Sequence, residues 1–288
     1  MPDWFRALIL LPLLCLPFLG IALHAADDIT LTEELHLWPG AAPGVPANPG
    51  EEIAKGNGRV SHVSVPTLDV YLPPKPNGIA IIICSGGGYV QLATRPLGKG
   101  AAEEFLPDGF TIFSLKYRLK PPSTDVATDA RVDGARAVRL VRSRAAEWHL
   151  RPDRIGMVGF SAGSNMILNV ACRSDAGDPT NPDPVERFSS RPDFIGLCAH
   201  WAYAKRTPAE HGIIPGMAPV FIAHARDDHT APFGPSEAMA ADFAAAKVPV
   251  HFEAYDTGDH MGFNFPKPKN ADWPAKFRAW LTSQQLSP

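Results

Sequence analysis

The sequence predicts an α/β fold, in which helices cover both faces of a mostly parallel central sheet. Three observations support this prediction. Apolar segments of strand length alternate with helical segments along most of the 288 residues. Residues 79–84 (IAIIIC) form an unbroken apolar run, which is typical of a parallel strand buried on both faces. Residues 159–163 (GFSAG) join an apolar strand directly to an apolar helix, so the chain must reverse there within very few residues.

The remaining elements follow from periodicity. Alternation predicts an early strand over residues 62–72, and a stripe of small and apolar residues predicts a long helix over 125–148. The arginines of that helix lie mostly off the stripe and are expected to form a solvated face rather than a binding patch. The other predicted strands are 110–117, 153–160, 194–199, 218–224 and 249–255, and the other predicted helices are 98–105, 162–172, 235–246 and 273–281.

Ser161, at the centre of the Gly159–Gly163 turn, is the candidate nucleophile. Glycines on both sides remove the Cβ atoms that would clash in so sharp a turn, and the hydroxyl is held at the carboxyl edge of the sheet. The first amides of the following helix point into the same space and favour negative charge. The alternative for so short a pattern is a purely structural turn.

A serine nucleophile needs a base and a carboxylate, and both are available after later strands. Asp227 and Asp228 follow the strand that ends at His224, and His260 lies in a glycine-flanked loop after the next strand. This gives the chain order serine, acid, histidine. The other histidines (His200, His211, His224 and His229) are expected to be surface or strand-end residues.

Composition and charge bear on the type of domain and on the partners and ligands to expect. The chain is 45% hydrophobic and 20% charged, which suits one large globular domain. A net charge of −3 without a basic run makes nucleic acid an unexpected partner. Cys84, Cys172 and Cys198 lie in apolar contexts and are expected to be buried thiols. No metal-ligand spacing is present, so neither a metal nor a cofactor is expected.

The N-terminus is expected to be a targeting segment. Arg6 precedes an apolar run over residues 7–23, which Ala25 and Ala26 follow. We therefore expect a signal peptide over residues 1–25, a periplasmic or secreted protein, and no stable membrane association after cleavage; an uncleaved anchor is the alternative. Residues 26–58, rich in glycine and proline, are expected to be an irregular arm, and residues 59–288 a single catalytic domain.

From Leu37 to its C-terminus the chain resembles the α/β-hydrolases, in the branch of acetyl-xylan esterases and related small carboxylesterases, close to the hormone-sensitive-lipase-like and prolyl-oligopeptidase-like groups. The segments that carry the resemblance are SGGGY (85–89), RAVRLVRSRAAEW (136–148), RPDRIGMVGFSAG (151–163), HARDDHTAP (224–232) and GDHMGF (258–263). The chain departs from the family pattern at Ser85 and at Ser164-Asn165. These departures bear on substrate preference more than on the triad.

The resemblance implies a role for each site residue. Asp228 matches the acid of a DxxVP pattern, with Ala231-Pro232 in place of Val-Pro, and His260 matches the family histidine. Backbone amides of Gly87, Gly88 and Ala162 are the implied donors to a tetrahedral oxyanion. The rival interpretation of the glycine run, a phosphate-binding loop, lacks the lysine and the glycine spacing of a nucleotide site.

The segment 201–217 is the expected cover of the site. It is short and contains two prolines, so we expect an open site that favours a short acyl group on a bulky alcohol such as an acetylated polysaccharide. Trp201 and Tyr203 either stack on a sugar ring or pack at the rim. Tyr89 and Met261 complete the expected substrate contacts.

Three function classes are compatible with this sequence. The first is a serine carboxylesterase acting on short acyl esters, including xylan acetates. The second is a peptidase of the prolyl-oligopeptidase type, although the chain has no room for the propeller domain of those enzymes. The third is a catalytically silent hydrolase fold used for binding, which the intact Ser161, Asp228 and His260 disfavour. The sequence does not predict an oligomeric state.

Overall fold

The computed structural model describes residues 29–203 and 208–287. The expected signal peptide (1–25) lies outside these residues, as do positions 204–207 of the expected cover. Within the described ranges, no helix combines the length and apolar character needed to cross a membrane.

An eight-stranded sheet forms the centre of the molecule, in the order β1-β4-β6-β5-β7-β8-β9-β10, and a separate hairpin pairs β2 with β3. The β1-β4 and β4-β6 pairs are antiparallel, and every other pair in the large sheet is parallel. In chain order the strands are β1 (Glu33–His36), β2 (Ile53–Gly56), β3 (Arg59–Ser61), β4 (Thr67–Tyr71), β5 (Ala80–Cys84), β6 (Thr111–Lys116), β7 (Ile155–Phe160), β8 (Ile195–Cys198), β9 (Val220–Ala225) and β10 (Val250–Tyr255).

Helices cover both faces of this sheet, as the sequence predicts. They are α1 (Thr94–Phe105), α2 (Val126–Ser143), α3 (Ala162–Cys172), α4 (Pro208–His211), α5 (Gly234–Ala245) and α6 (Trp273–Ser283). Buried residues of α2, α3 and α5 form one core with one face of the sheet. Those of α1 and α6 form a second core with the opposite face. Successive residues of the fully buried β5 contribute alternately to the two cores, because side chains along a strand point to opposite faces.

The expectation of a solvated arginine face on α2 is wrong for two residues. Arg136 and Arg139 are buried. Arg136 pairs with Asp183 and with Glu186 at 2.8 Å, and Arg139 pairs with Asp175. The acidic partners come from residues 175–186, a loop distant in sequence, so the pattern of the helix alone could not show that these charges are covered.

The segment expected to be an irregular arm also contains regular structure. β1 adds an antiparallel edge to the sheet by pairing with β4. β2 lies in the hairpin with β3, and this hairpin contacts the glycine-rich loop after β5 through backbone hydrogen bonds between Val60 and Leu92 at 2.8 and 2.9 Å. The hairpin is thereby brought to the edge of the sheet where the catalytic candidates lie.

Candidate active site

Ser161 occupies a strained turn between β7 and α3. Its φ of 54° and ψ of −120° lie where a residue with a Cβ is uncommon. A Cβ added at Gly163 would lie 2.2 Å from the carbonyl oxygen of Cys84, so only glycine permits this approach. The Ser164 hydroxyl lies within hydrogen-bond distance of the carbonyl oxygens of Gly159 (2.6 Å) and Cys198 (2.9 Å). The departure from the family pattern at position 164 thus serves to fix the turn.

A continuous chain of hydrogen bonds links Ser161, His260 and Asp228. The Ser161 Oγ lies 2.8 Å from His260 Nε2, and His260 Nδ1 lies 2.7 Å from Asp228 Oδ2. The other carboxylate oxygen, Oδ1, accepts hydrogen bonds from the amides of Thr230 and Ala231, each at 2.8 Å. The carboxylate is therefore fixed in the orientation that places one oxygen on the imidazole.

Asp227 faces a different partner. Its carboxylate accepts hydrogen bonds from the amides of Gly258 (3.2 Å) and Asp259 (2.8 Å), the two residues that precede His260. The Asp259 carboxylate in turn accepts from the Met261 amide at 2.7 Å and pairs with Lys269. Asp227 therefore fastens the loop that carries the histidine, and Asp228 contacts the histidine itself.

His224 lies directly behind Asp228 and was expected to be an ordinary strand-end residue. Its Nε2 is 3.1 Å from Asp228 Oδ2 and 2.8 Å from the Ala231 carbonyl oxygen, and its Nδ1 is 2.7 Å from the Ser236 hydroxyl. Burial lowers the pKa of His224 and keeps the ring neutral. The partners fix its tautomer, because Nε2–H donates toward the two acceptors while Nδ1 accepts from Ser236. A spacing of four residues before Asp228 is the only sequence signal for this contact, and it is too weak to have identified it.

Three backbone amides near Ser161 are free to bind an anion. Gly87 and Gly88 have φ values of +131° and +62°, and Ala162 is the first residue of α3. None of these three amides donates to another residue in the described ranges. Ser85 secures the loop that presents them, since its Oγ accepts from the Ala93 amide (3.2 Å) and its carbonyl accepts from the Tyr117 hydroxyl (2.7 Å).

The candidate catalytic groups face a cavity of about 350 Å³ that Ser161, His260 and the glycine loop line together. Leu92, Leu97 and Phe160 supply its apolar wall. Of the four expected substrate contacts, Trp201 and Met261 line this cavity.

Tyr89 and Tyr203 do not line the cavity, and each hydroxyl is engaged elsewhere. The Tyr89 hydroxyl donates to Asn165 (2.9 Å), and its ring supports Trp201 with centroids 6.4 Å apart. The Tyr203 hydroxyl donates to Asp242 (2.6 Å), and its ring stacks on His211. Four further polar residues line the cavity and have no signal in the sequence: Arg59, Gln91, Thr230 and Asn264. They come from the hairpin, the glycine loop, the loop after β9 and the histidine loop.

The expected cover, 201–217, contributes little to the mouth of the cavity. Among its described residues, only Trp201 lines the opening. The hairpin, through Arg59, and the loop 261–264 form the rest of the rim.

Cys84 and Cys198 are buried free thiols, Cys172 is a half-buried one, and burial raises the pKa of all three. In the described part of the chain, no group of histidine, cysteine and carboxylate side chains could hold a metal ion.

The doubly covered, mostly parallel sheet with a serine at the sharp strand-to-helix turn is the architecture of the α/β-hydrolases, so the chain has the α/β-hydrolase fold. The family model described as BD-FAE matches residues 68–188. This range includes the glycine loop and the Ser161 turn.

Three of the proteins similar to this chain are described as esterases or ester hydrolases. An acetylxylan esterase of Xylanibacter ruminicola is 32% identical over 104 residues, which are 36% of this chain, and the chain spans 21% of that relative's length. An acetyl ester-xyloside bifunctional hydrolase from Caldicellulosiruptor lactoaceticus superposes with a TM-score of 0.74 at 25% identity, covering 91% of this chain and 100% of that one. Esterase 2 of Thermogutta terrifontis superposes with a TM-score of 0.66 at 23% identity, covering 87% and 98%. This last likeness concerns the fold alone.

Proposed function

We propose that this protein is a serine carboxylesterase that hydrolyses short-chain acyl esters through an acyl-enzyme, and that its substrates are acetylated polysaccharides of the xylan type. The observation that carries the proposal is the unbroken hydrogen-bonded chain from Ser161 through His260 to Asp228 beside three unpaired amides. A nucleophile, a base, an orienting acid and anion donors are the complete set that acyl transfer needs.

Each group has a role that its geometry permits. The Ser161 Oγ attacks the ester carbonyl while His260 Nε2, 2.8 Å away, takes the proton. The amides of Gly87, Gly88 and Ala162 donate to the oxyanion that forms. His260 then protonates the leaving alcohol, and the acyl group stays on Ser161. In the second half of the reaction, water attacks the acyl-enzyme while His260 takes a proton from it. His260 then returns that proton to Ser161 as the carboxylic acid leaves. Asp228 holds the imidazole in the required tautomer throughout.

The cavity and the relatives support the substrate class. A volume of about 350 Å³ with a short apolar wall suits a small acyl group better than a fatty chain. Two of the proteins similar to this chain are described as an acetylxylan esterase and an acetyl ester-xyloside hydrolase. Acetylated glycans are polymers met outside the cytoplasm, so the proposal includes a periplasmic or secreted location, in keeping with the expected signal peptide.

The test combines labelling with turnover. A fluorophosphonate probe should attach to Ser161, as located by peptide mass spectrometry, and the protein should release acetate from acetylated xylan. Ser161→Ala should abolish both signals while its thermal unfolding stays within a few degrees of the parent. Thr282→Ala, which removes an exposed hydroxyl on α6, should leave both signals intact. Labelling at another residue, or appreciable turnover by Ser161→Ala, would place the nucleophile elsewhere.

A further inference from the structure

A second depression opens from the catalytic cavity along the protein surface. It has a volume of about 600 Å³ and is more open than the cavity itself. We call it the basic groove and define it by Lys55, Asn57, Arg59, Gln91, Met261 and Asn264. Four of these residues, Arg59, Gln91, Met261 and Asn264, also line the catalytic cavity. The two spaces are therefore continuous, and a ligand whose ester lies at Ser161 can extend into the basic groove.

The β2–β3 hairpin fixes the outer wall of the groove. Val60, next to Arg59, exchanges two backbone hydrogen bonds with Leu92 of the glycine loop. Gly58, at the hairpin turn, packs so closely on Pro96 that an added Cβ would lie 2.7 Å from the proline ring. Arg59 is thus carried on a segment anchored at both of these points, so its backbone position relative to the cavity is defined.

The charges along the groove are all of one sign. Lys55 and Arg59 are exposed, and no aspartate or glutamate lines either the groove or the catalytic cavity. Neither cation makes a hydrogen bond or an ion pair with any residue in the described ranges, although arginines elsewhere, such as Arg118 and Arg136, are paired. The carboxylates that line the adjoining cavity on the other side of Arg59 (Glu34, Glu52 and Asp69) are paired with Arg95 and Lys116 and not with Arg59. Two unpaired cations beside an ester-binding site attract an anionic substrate.

We propose that Arg59 and Lys55 form a subsite for a carboxylate on the alcohol part of the substrate, so that the enzyme prefers acetylated glycans that carry uronic acid residues. This inference rests on the proposed esterase function. The guanidinium of Arg59 offers the paired donors that a carboxylate accepts, and the ammonium of Lys55 adds a second charge further along the groove.

The shape of the site places the carboxylate on the alcohol side. An acetyl group is small and uncharged, and it suits the apolar wall formed by Leu92 and Phe160, which line the catalytic cavity and not the groove. The alcohol must then extend through the open side. There, the side-chain amides of Gln91 and Asn264 can hydrogen-bond sugar hydroxyls, and Met261, 50% exposed, offers an apolar face to a sugar ring. A neutral glycan would use these groups but would leave both cations unpaired.

The experiment compares two forms of one polymer. Acetylated glucuronoxylan and the same material with its uronic acids reduced to neutral sugars are supplied to the parent protein and to Arg59→Gln, Lys55→Gln and Arg59→Lys. The readout is the ratio of kcat/KM for acetate release on the acidic polymer to that on the reduced one. The ratio should exceed one in the parent, fall by up to about fivefold toward one in Arg59→Gln, fall less in Lys55→Gln and be largely retained in Arg59→Lys. Lys75→Gln removes the same charge from an exposed lysine that lines neither cavity and should keep the parental ratio.

The outcomes separate the subsite from the esterase function. A parent that releases acetate equally from both polymers, with variants that do not change the ratio, would overturn the subsite and leave the esterase proposal standing. A parent that hydrolyses neither polymer nor p-nitrophenyl acetate would overturn the esterase proposal itself. A parallel series with p-nitrophenyl hemisuccinate tests the acyl side, because this ester carries its carboxylate on the acyl group. If Arg59→Gln reduces the hydrolysis of this ester while the polymer ratio stays unchanged, the carboxylate belongs on the acyl group and the proposed placement is wrong.

Raising the salt to about 0.5 M should reduce the parental ratio of kcat/KM values, because screening weakens exposed charge interactions.

Discussion

Asp227 and Asp228 are consecutive in the chain, yet their carboxylates hold different parts of the site. Asp228 lies 2.7 Å from the imidazole of His260, whereas Asp227 accepts hydrogen bonds from the two backbone amides that precede that histidine. One residue therefore orients the ring, and its neighbour fastens the loop on which the ring is carried. Both interactions position His260, one through its ring and the other through the backbone of its loop.

This arrangement predicts unequal effects for two matched substitutions. Asp228→Asn should lower kcat by about 10⁴-fold, because an amide in place of the carboxylate favours the wrong imidazole tautomer. Asp227→Asn keeps one acceptor for the loop amides and should lower kcat by about tenfold or less. The measurement is steady-state hydrolysis of p-nitrophenyl acetate by both variants. A larger loss in Asp227→Asn would transfer the role of the acid to residue 227.

Substitutions of His224 test whether this residue, which lies behind Asp228, positions the triad. His224→Leu removes the donor to Asp228 and the acceptor for Ser236, and we expect kcat to fall about 10-fold to 100-fold with little change in KM, because this ring is buried and does not line the catalytic cavity. His224→Gln, which can still donate and accept, should recover part of the loss. Equal changes in kcat for both variants, or a change confined to KM, would contradict a positioning role.

The buried state of His224 also has a consequence for stability. Burial lowers its pKa from the ordinary value of 6.5, so below that pH the unfolded chain binds a proton that the folded protein does not. The stability associated with this residue is therefore present above pH 6.5 and decreases as the pH falls. His224→Gln removes that contribution, so the unfolding temperature of the variant should decrease less than that of the parent between pH 7 and pH 5. Parallel curves for the two proteins would show that His224 does not titrate in this way.

The sequence predicts those parts of the fold and site that depend on contiguous patterns. The unbroken run at Ile79–Cys84 is typical of a buried parallel strand, and the glycines around Ser161 indicate the turn without knowledge of any distant contact. The burial of Arg136 and Arg139 depends instead on carboxylates 50 and 36 residues away, and the rim position of Arg59 depends on pairing between Val60 and Leu92. Periodicity carries no information about such pairings, which is why residues 26–58, including β2, are expected to be irregular and the segment 201–217 is expected to cover the site.

The buried carboxyl group of Asp69, which is not part of the catalytic site, is expected to make the stability of the fold depend on pH. It lies buried on β4, with Arg95 at 3.5 Å, and burial is the main cause that raises its pKa to about 6. Between the ordinary value of 3.8 and about 6, the unfolded chain releases this proton while the folded protein retains it. Stability attributable to Asp69 therefore falls as the pH rises through that window.

Asp69→Asn should remove this dependence. We expect the variant to unfold a few degrees above the parent at pH 8, with a smaller difference at pH 4.5, since about 1 kcal/mol corresponds to a few degrees in a domain of this size. Differential scanning calorimetry at the two pH values gives the comparison. Asp256→Asn, at a side chain that is 95% exposed, is the matched control and should change neither value appreciably. A destabilised Asp69→Asn at pH 8 would show that the contact with Arg95 outweighs the cost of burial.

The apolar wall of the catalytic cavity predicts a limit on acyl length. Leu92, Leu97 and Phe160 form the apolar part of a cavity of about 350 Å³, whose other walls include Ser85, Gln91 and the glycine loop. In a continuous apolar channel each buried methylene contributes about 0.8 kcal/mol, or about fourfold in kcat/KM, so a lipase would gain steadily as the chain lengthens. We expect this protein to be most efficient on acetyl to butyryl esters and to lose efficiency beyond about six carbons, because further methylenes remain in water. The measurement is kcat/KM for p-nitrophenyl esters from acetyl to palmitoyl, below their micellar concentrations. A continuous rise through the octanoyl ester would show that a long acyl chain is buried in an apolar channel, and it would favour a lipase over a short-chain esterase.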